Sequence, residues 1–284
     1  MIGLKIGGVP EHFNLPWRLA IEEGKFKEIG LDLHWSDMSG GTGQMIRGLE
    51  TGSIDIAVLL TEGITKSILQ GLKAKIIQVY VVSPLHWGIH VPYHSDIKTV
   101  DQLEGKVFAI SREGSGSHLM TYVKASQEGW DLENLKFNSI GDIYGALWSL
   151  EHNESQGFLW EKYTTFPFTE QGKCRYIDEV VTPWPCFVIA VREEVLEKHD
   201  VLLKEMCTVV NKKAFEVKKN EDTVEVISWR YNLRSGQVEN WLIETDWNYS
   251  GIEYPSDFDK TIKYLLKLNL ISSEEADGWQ QKLF

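Results

Sequence analysis

Two short runs rich in glycine and hydroxyl side chains could do chemistry: Ser39-Gly40-Gly41-Thr42-Gly43 and Glu113-Gly114-Ser115-Gly116-Ser117-His118. Each lies between an apolar run that reads as a strand and an amphipathic run that reads as a helix. At such a junction the first backbone N–H groups of the helix lack intrahelical partners, and the helix dipole adds positive character. A carboxylate, sulfonate or phosphate can then be held without a cationic side chain. Plain helix capping uses the same residue types, so it is the pair, at matching positions, that points to a ligand. Other residues that follow expected strands are His12, Phe13 and Asn14, then Thr61 and Glu62, Asp142, and Trp160 with Glu161. Ligands of open α/β sheets sit outside the carboxyl ends of the strands, so these residues complete the candidate binding set. His12, Glu62 and Glu161 are the members able to move a proton.

Several chemistries are disfavoured. Gly41-x-Gly43 lacks the third glycine of a dinucleotide fingerprint, Gly114-Ser115-Gly116 runs on into Ser117-His118-Leu119, and no GxxxxGK[ST] run occurs. His86, His90 and His94 repeat every fourth residue, but Pro92 interrupts a helix there and Trp87, Ile89 and Val91 read as strand; no metal is expected. Cys174, Cys186 and Cys207 form no CxxC pair, and no GxSxG nucleophile elbow is present. No catalytic residue and no cofactor is expected.

These candidates need elements to position them. The 284 residues suggest roughly two domains. From Leu4 to Val82 short apolar runs alternate with amphipathic ones, the pattern of βα units on a mainly parallel sheet. A second alternating series runs from about 107 to 180, another apolar run follows at 187–191, and from Arg192 onward the pattern is helical. Extended stretches near 83–92 and 183–190 join the series. The pattern predicts an α/β protein of two lobes, residues 1–87 with 188–284 and residues 88–187, with a cleft between lobes and the terminal helices packed on the first. Trp229, Trp241, Trp247 and Trp279 are assigned to the core or to the seam with those helices. A net charge of −12 with 29 thinly spread Lys and Arg lacks the footprint of a nucleic-acid binder, and no apolar run approaches the roughly 18 residues of a membrane span. The start, Met1-Ile2-Gly3-Leu4-Lys5-Ile6, is too soon interrupted for a signal peptide. The chain as written therefore reads as cytoplasmic; a removed leader would make it periplasmic or surface-anchored.

Pro10-x-His12-Phe13 followed by Ala20-Ile21-Glu22-Glu23-Gly24-Lys25-Phe26-Lys27-Glu28-Ile29-Gly30-Leu31-Asp32 resembles the opening of the NMT1/THI5-like group. Gly48-Leu49-Glu50-Thr51-Gly52-Ser53-Ile54-Asp55-Ile56-Ala57, Leu103-Glu104-Gly105-Lys106-Val107-Phe108-Ala109-Ile110 and Gly114-Ser115-Gly116-Ser117-His118 resemble later segments of it, in the right order over about 4 to 200. The resemblance implies a type 2 periplasmic-binding-protein fold, as in the substrate-binding components of sulfonate, taurine and nitrate ABC importers. It implies that loops 10–14, 39–42, 60–62, 111–118, 141–144 and 160–161 face a cleft, and that two lobes close on a small organic or inorganic anion, an anionic organic ligand being the one expected. An ABC permease is the implied partner of an exported form. The alternative it leaves is a cytosolic enzyme of thiamine-pyrimidine or menaquinone-type biosynthesis.

Overall fold

The computed structural model describes residues 1–251 and 255–284. The chain divides into two compact units, Met1–Pro84 with Pro183–Phe284, and Leu85–Thr182. The boundaries read from the sequence, 87/88 and 187/188, lie three and five residues further on. Ten strands are present: β1 (Ile2–Gly8), β2 (Leu31–Asp37), β3 (Ile56–Leu60), β4 (Ala74–Val81), β5 (His86–Pro92), β6 (Val107–Ile110), β7 (Lys136–Ser139), β8 (Gly157–Glu161), β9 (Cys174–Val181) and β10 (Phe187–Arg192).

The first unit holds a five-stranded sheet in the order β2-β1-β3-β10-β4. β1 pairs parallel with β2 and β3, while β10 runs antiparallel to β3 and β4. The central strands β3 and β10 are near-continuous apolar runs, Ile-Ala-Val-Leu-Leu and Phe-Val-Ile-Ala-Val, because helices cover both faces and every one of these residues but Leu60 is buried. The second unit repeats the plan as β7-β6-β8-β5-β9. There β6 pairs parallel with β7 and β8, and β5 runs antiparallel to β8 and β9. Its core packs Ala109, Ala146, Leu147, Leu150, Phe158 and Cys174 together. In each unit the strand that opposes the others is the one that follows a crossing.

The crossings are tied within each unit. Leu85 N–H donates to Thr182 Oγ1 at 2.8 Å while Thr182 N–H donates to Leu85 O at 3.0 Å, and Cys186 N–H donates to Ser83 O at 3.2 Å. Past Arg192 every described element is a helix, and an isolated bridge joins Trp247 to Val81. Trp241 and Trp247 are buried there as expected, but Trp229 is 83% exposed. It stands on the short helix Thr223–Tyr231, whose buried residues are Thr223 and Ile227, so its indole falls outside that helix's narrow inner stripe. No described helix is long and apolar enough to cross a membrane.

Candidate functional site

In each unit the parallel strands point the same way, so the residues that follow them gather at one sheet edge. In the first unit those after β1, β2 and β3 meet the residues that lead into β10. The helix Thr61–Leu69 starts directly after β3, and its first turn is stitched to the incoming chain. Thr61 Oγ1 donates to Pro185 O at 2.5 Å and Thr61 N–H donates to Cys186 O at 3.1 Å.

Beside it, the Glu62 side chain is 98% buried, being 2% exposed. The Trp184 indole N–H donates to Glu62 Oε2 at 2.9 Å, and Oε1 has no hydrogen-bond partner. Burial raises this carboxyl to about 7, opposed by its own backbone N–H and by the Trp184 indole, which favour the ionised form.

His12 and Asn14 lie in a single turn of 3-10 helix after β1. Burial drops the His12 imidazole to about 3, so the ring is neutral at physiological pH, and Nε2 lacks a partner. Its ring meets Trp241 edge-on at 4.2 Å between centroids. Asn14 Nδ2 donates to Val9 O at 2.8 Å, which turns Oδ1 the other way, where it too has no partner. Phe13 is part of the core. Its ring packs against Phe187 and Trp241, and its carbonyl accepts from the Tyr80 hydroxyl and the Trp247 indole.

The loop after β2 brings Thr42, whose Oγ1 accepts from Leu60 N–H at 3.3 Å. Gly40 N–H donates to Gln44 Oε1 at 2.8 Å. Gly41 opens the helix Gly41–Thr51 at φ +64°, a left-handed conformation that side-chain-bearing residues rarely adopt.

The second unit repeats the arrangement. The helix Gly116–Glu128 is capped by Ser115, whose Oγ accepts from His118 N–H at 3.3 Å and lies 3.0 Å from Ser117 Oγ. Ser117 Oγ accepts from Ser111 N–H at 3.1 Å. Gly114, at φ +72°, donates its N–H to His118 Nδ1 at 2.9 Å, and Glu113 beside it is exposed. The two serine hydroxyls expected to meet a ligand are therefore engaged inside the loop. What this junction offers an anion is the first-turn amides of Gly116 and Ser117, which have no carbonyl one turn earlier in the helix.

Asp142 is an exposed cap that accepts from Gly145 N–H at 3.0 Å. Trp160 is half-buried against Phe158. Glu161 caps the helix Lys162–Glu170 by accepting from Tyr163 N–H, Thr164 N–H and the Thr164 hydroxyl at 3.1, 2.6 and 2.7 Å. Burial raises it to about 7 as well, but its oxygens are well partnered, unlike Glu62 Oε1.

One family model matches the chain, described as Ca3427-like PBP, over residues 87–180. Among solved structures, the Candida albicans CA3427 gene product, described as exhibiting the generic periplasmic binding protein fold, superposes with a TM-score of 0.91 at 23% identity, covering 99% of this chain and 95% of that one. The chain has the type 2 periplasmic-binding-protein fold. The alkanesulfonate-binding protein SsuA of Xanthomonas axonopodis pv. citri, bound to MOPS, gives 0.80 at 14% identity over 96% and 95% of the two chains. The periplasmic nitrate-binding protein NrtA of Synechocystis PCC 6803 gives 0.74 at 14% over 99% and 88%. No curated protein sequence matches.

Within this fold the structure adds residues that the sequence did not single out. At the end of β2, Asp37 is held by Arg18 and by the Trp35 indole at 3.0 Å, with the Arg18 guanidinium 5.0 Å from the Trp35 ring centre. At the end of β9, Glu179 binds Lys162 at 2.9 Å and lies 3.4 Å from His86 Nδ1. Asp37 was missed because the alternation in β2 weakens after Trp35. Lys162 was missed because Pro167 and two threonines disguised its helix. His86 and His90 do not share a metal-binding face of a helix. They lie on a strand, where His90 Nε2 meets Thr165 Oγ1 at 2.9 Å. Among the described residues no group of three or more metal-type ligands occurs.

Proposed function

We propose that the chain is a binding protein for one small polar organic ligand, of the kind that serves an ABC importer as its solute-binding component. The observation that carries this reading is the repeated strand–helix junction. In each unit a glycine at positive φ introduces a helix whose first-turn amides open at the carboxyl edge of the sheet. Backbone donors of this kind hold an anionic group without a free cation. That suits edges where Arg18 and Lys162 are already paired with Asp37 and Glu179. Likeness to proteins described as alkanesulfonate-binding and nitrate-binding supports an anionic group on the ligand. In this reading, binding shifts the population of two-lobed molecules toward a closed form, and a permease receives the ligand if the protein is exported.

Titration of tryptophan fluorescence and melting temperature against sulfonates, carboxylates and pyrimidine phosphates tests the reading. A saturable shift with at least one member is expected. Silence from the whole panel, with nothing co-purifying in native mass spectrometry, would sink it.

One observation favours an enzyme of thiamine-pyrimidine or menaquinone-type biosynthesis instead. Glu62 is a buried carboxyl at about 7 with one oxygen unengaged, the tuning a general acid or base needs. Mass spectrometry of a ligand incubated with the protein separates the two readings. Recovery of the ligand unchanged counts against catalysis.

A further inference from the structure

Buried polar atoms in folded proteins are nearly always hydrogen-bonded, so an unpaired one calls for an explanation. Three such atoms lie at the carboxyl edge of the first sheet: Glu62 Oε1, Asn14 Oδ1 and His12 Nε2. The topology puts their supports side by side. β1 and β3 are paired neighbours with Gly8 opposite Val58. Asn14 folds back onto Val9, directly after that pair, while Glu62 follows β3 by two residues.

Two of the three, both oxygens, have one-sided chemistry. Asn14 gives one amide N–H to Val9, and its unpartnered Oδ1 can only accept. Glu62 Oε2 is taken by the Trp184 indole, and once the carboxyl ionises, above about pH 7, Oε1 only accepts. Neutral His12 can supply either role. A sulfonate or carboxylate presents acceptors alone and leaves Asn14 Oδ1 and ionised Glu62 Oε1 unsatisfied, and the cation Arg18 is already paired with Asp37.

We propose that Glu62 and Asn14 form a subsite for a nitrogen base, so that the ligand carries N–H donors, as in an amidine, a guanidine or an amino-substituted heterocycle. This deepens the binding-protein reading and rests on it. An anionic group on the same ligand would take the first-turn amides, and the N–H donors would take Glu62 Oε1 and Asn14 Oδ1. Buried acceptors matched by donors discriminate strongly against isosteres that lack them, because the isostere leaves the acceptors unpaired.

Calorimetric titration with benzamidine, its donor-free analogue acetophenone, and ethanesulfonate tests the proposal. Wild-type protein is expected to bind benzamidine about tenfold or more tightly than acetophenone, and Glu62→Gln, shown folded by its melting curve, is expected to lose most of that preference. Equal affinity of wild type for benzamidine and acetophenone overturns the proposal. So does a preference undiminished in Glu62→Gln, or binding of ethanesulfonate without benzamidine. A co-purifying ligand devoid of N–H donors overturns it too, yet leaves the binding-protein reading standing. Silence from all three probes refutes the subsite, and the broader panel then decides the reading beneath it.

Discussion

Two buried carboxyls and two buried imidazoles pull the pH response in opposite directions. Glu62 and Glu161 are raised to about 7. Between the ordinary carboxyl range and pH 7 the unfolded chain has released these protons while the folded chain still holds them, so stability falls as pH rises. The loss for each carboxyl is roughly 3 kcal/mol once both states are ionised. His12 and His90 are lowered to about 3 and about 4 by burial. Their unfolded forms take up protons below about 6.5 while the folded forms do not, so stability falls as pH drops. The opposing slopes nearly cancel between pH 4.5 and 6.5, which predicts a stability plateau there with losses on either side. Glu62→Gln removes one of the alkaline contributions. Its melting temperature relative to wild type should therefore climb from pH 5 to pH 8; a constant difference across that range would show that Glu62 does not titrate as its burial implies. Residues 61 and 62 were singled out from sequence because they follow an apolar run, and that rule needs only local pattern. The partner of Glu62 was not so accessible. Trp184 lies 122 residues away, and only the strand order brings it close.

The junctions are where sequence and element agree best. The helices Thr61–Leu69 and Ile143–Glu151 begin and end where their apolar period places them. Asp142, read from the sequence as a ligand candidate, caps its helix by accepting from Gly145 N–H, so Asp142→Ala should cost about 1 kcal/mol in urea unfolding. Gly114→Ala forces a side chain into φ +72° and should cost a similar amount, about 1 kcal/mol, without touching any ligand donor. In the second core Phe158 is fully buried against Ala109, Ala146 and Leu150, and Phe158→Ala is expected to lose about 3–5 kcal/mol. The helix Lys162–Glu170 was hidden by Pro167 within it and by Thr164 and Thr165. All three are poor helix formers. The legible clue was Glu161 ahead of that run, since an acidic residue accepting first-turn amides is a start signal. At Trp229 the reasoning failed for a different cause. Hydrophobic type alone does not say which side of a helix faces inward, and its helix buries only a narrow stripe.

At the scale of the whole molecule, ligand binding and stability are linked. A ligand that binds only the native state at a hundred times its dissociation constant should raise unfolding free energy by about 2.7 kcal/mol. A scan of melting temperature against ligand concentration would read this directly; no rise at saturation would mean that the compound also binds the unfolded chain or does not bind at all. The two α/β series, the pair of crossings and the helical remainder were all legible in the sequence, since hydrophobic periodicity and glycine placement are local properties of the chain. Strand order, the reversal of β5 and β10, and the use of Ser115 and Ser117 within their own loop were decided only by tertiary structure. So was the solitude of Glu62 Oε1. Whether a polar atom finds a partner depends on groups far away in the chain, and no local pattern encodes that.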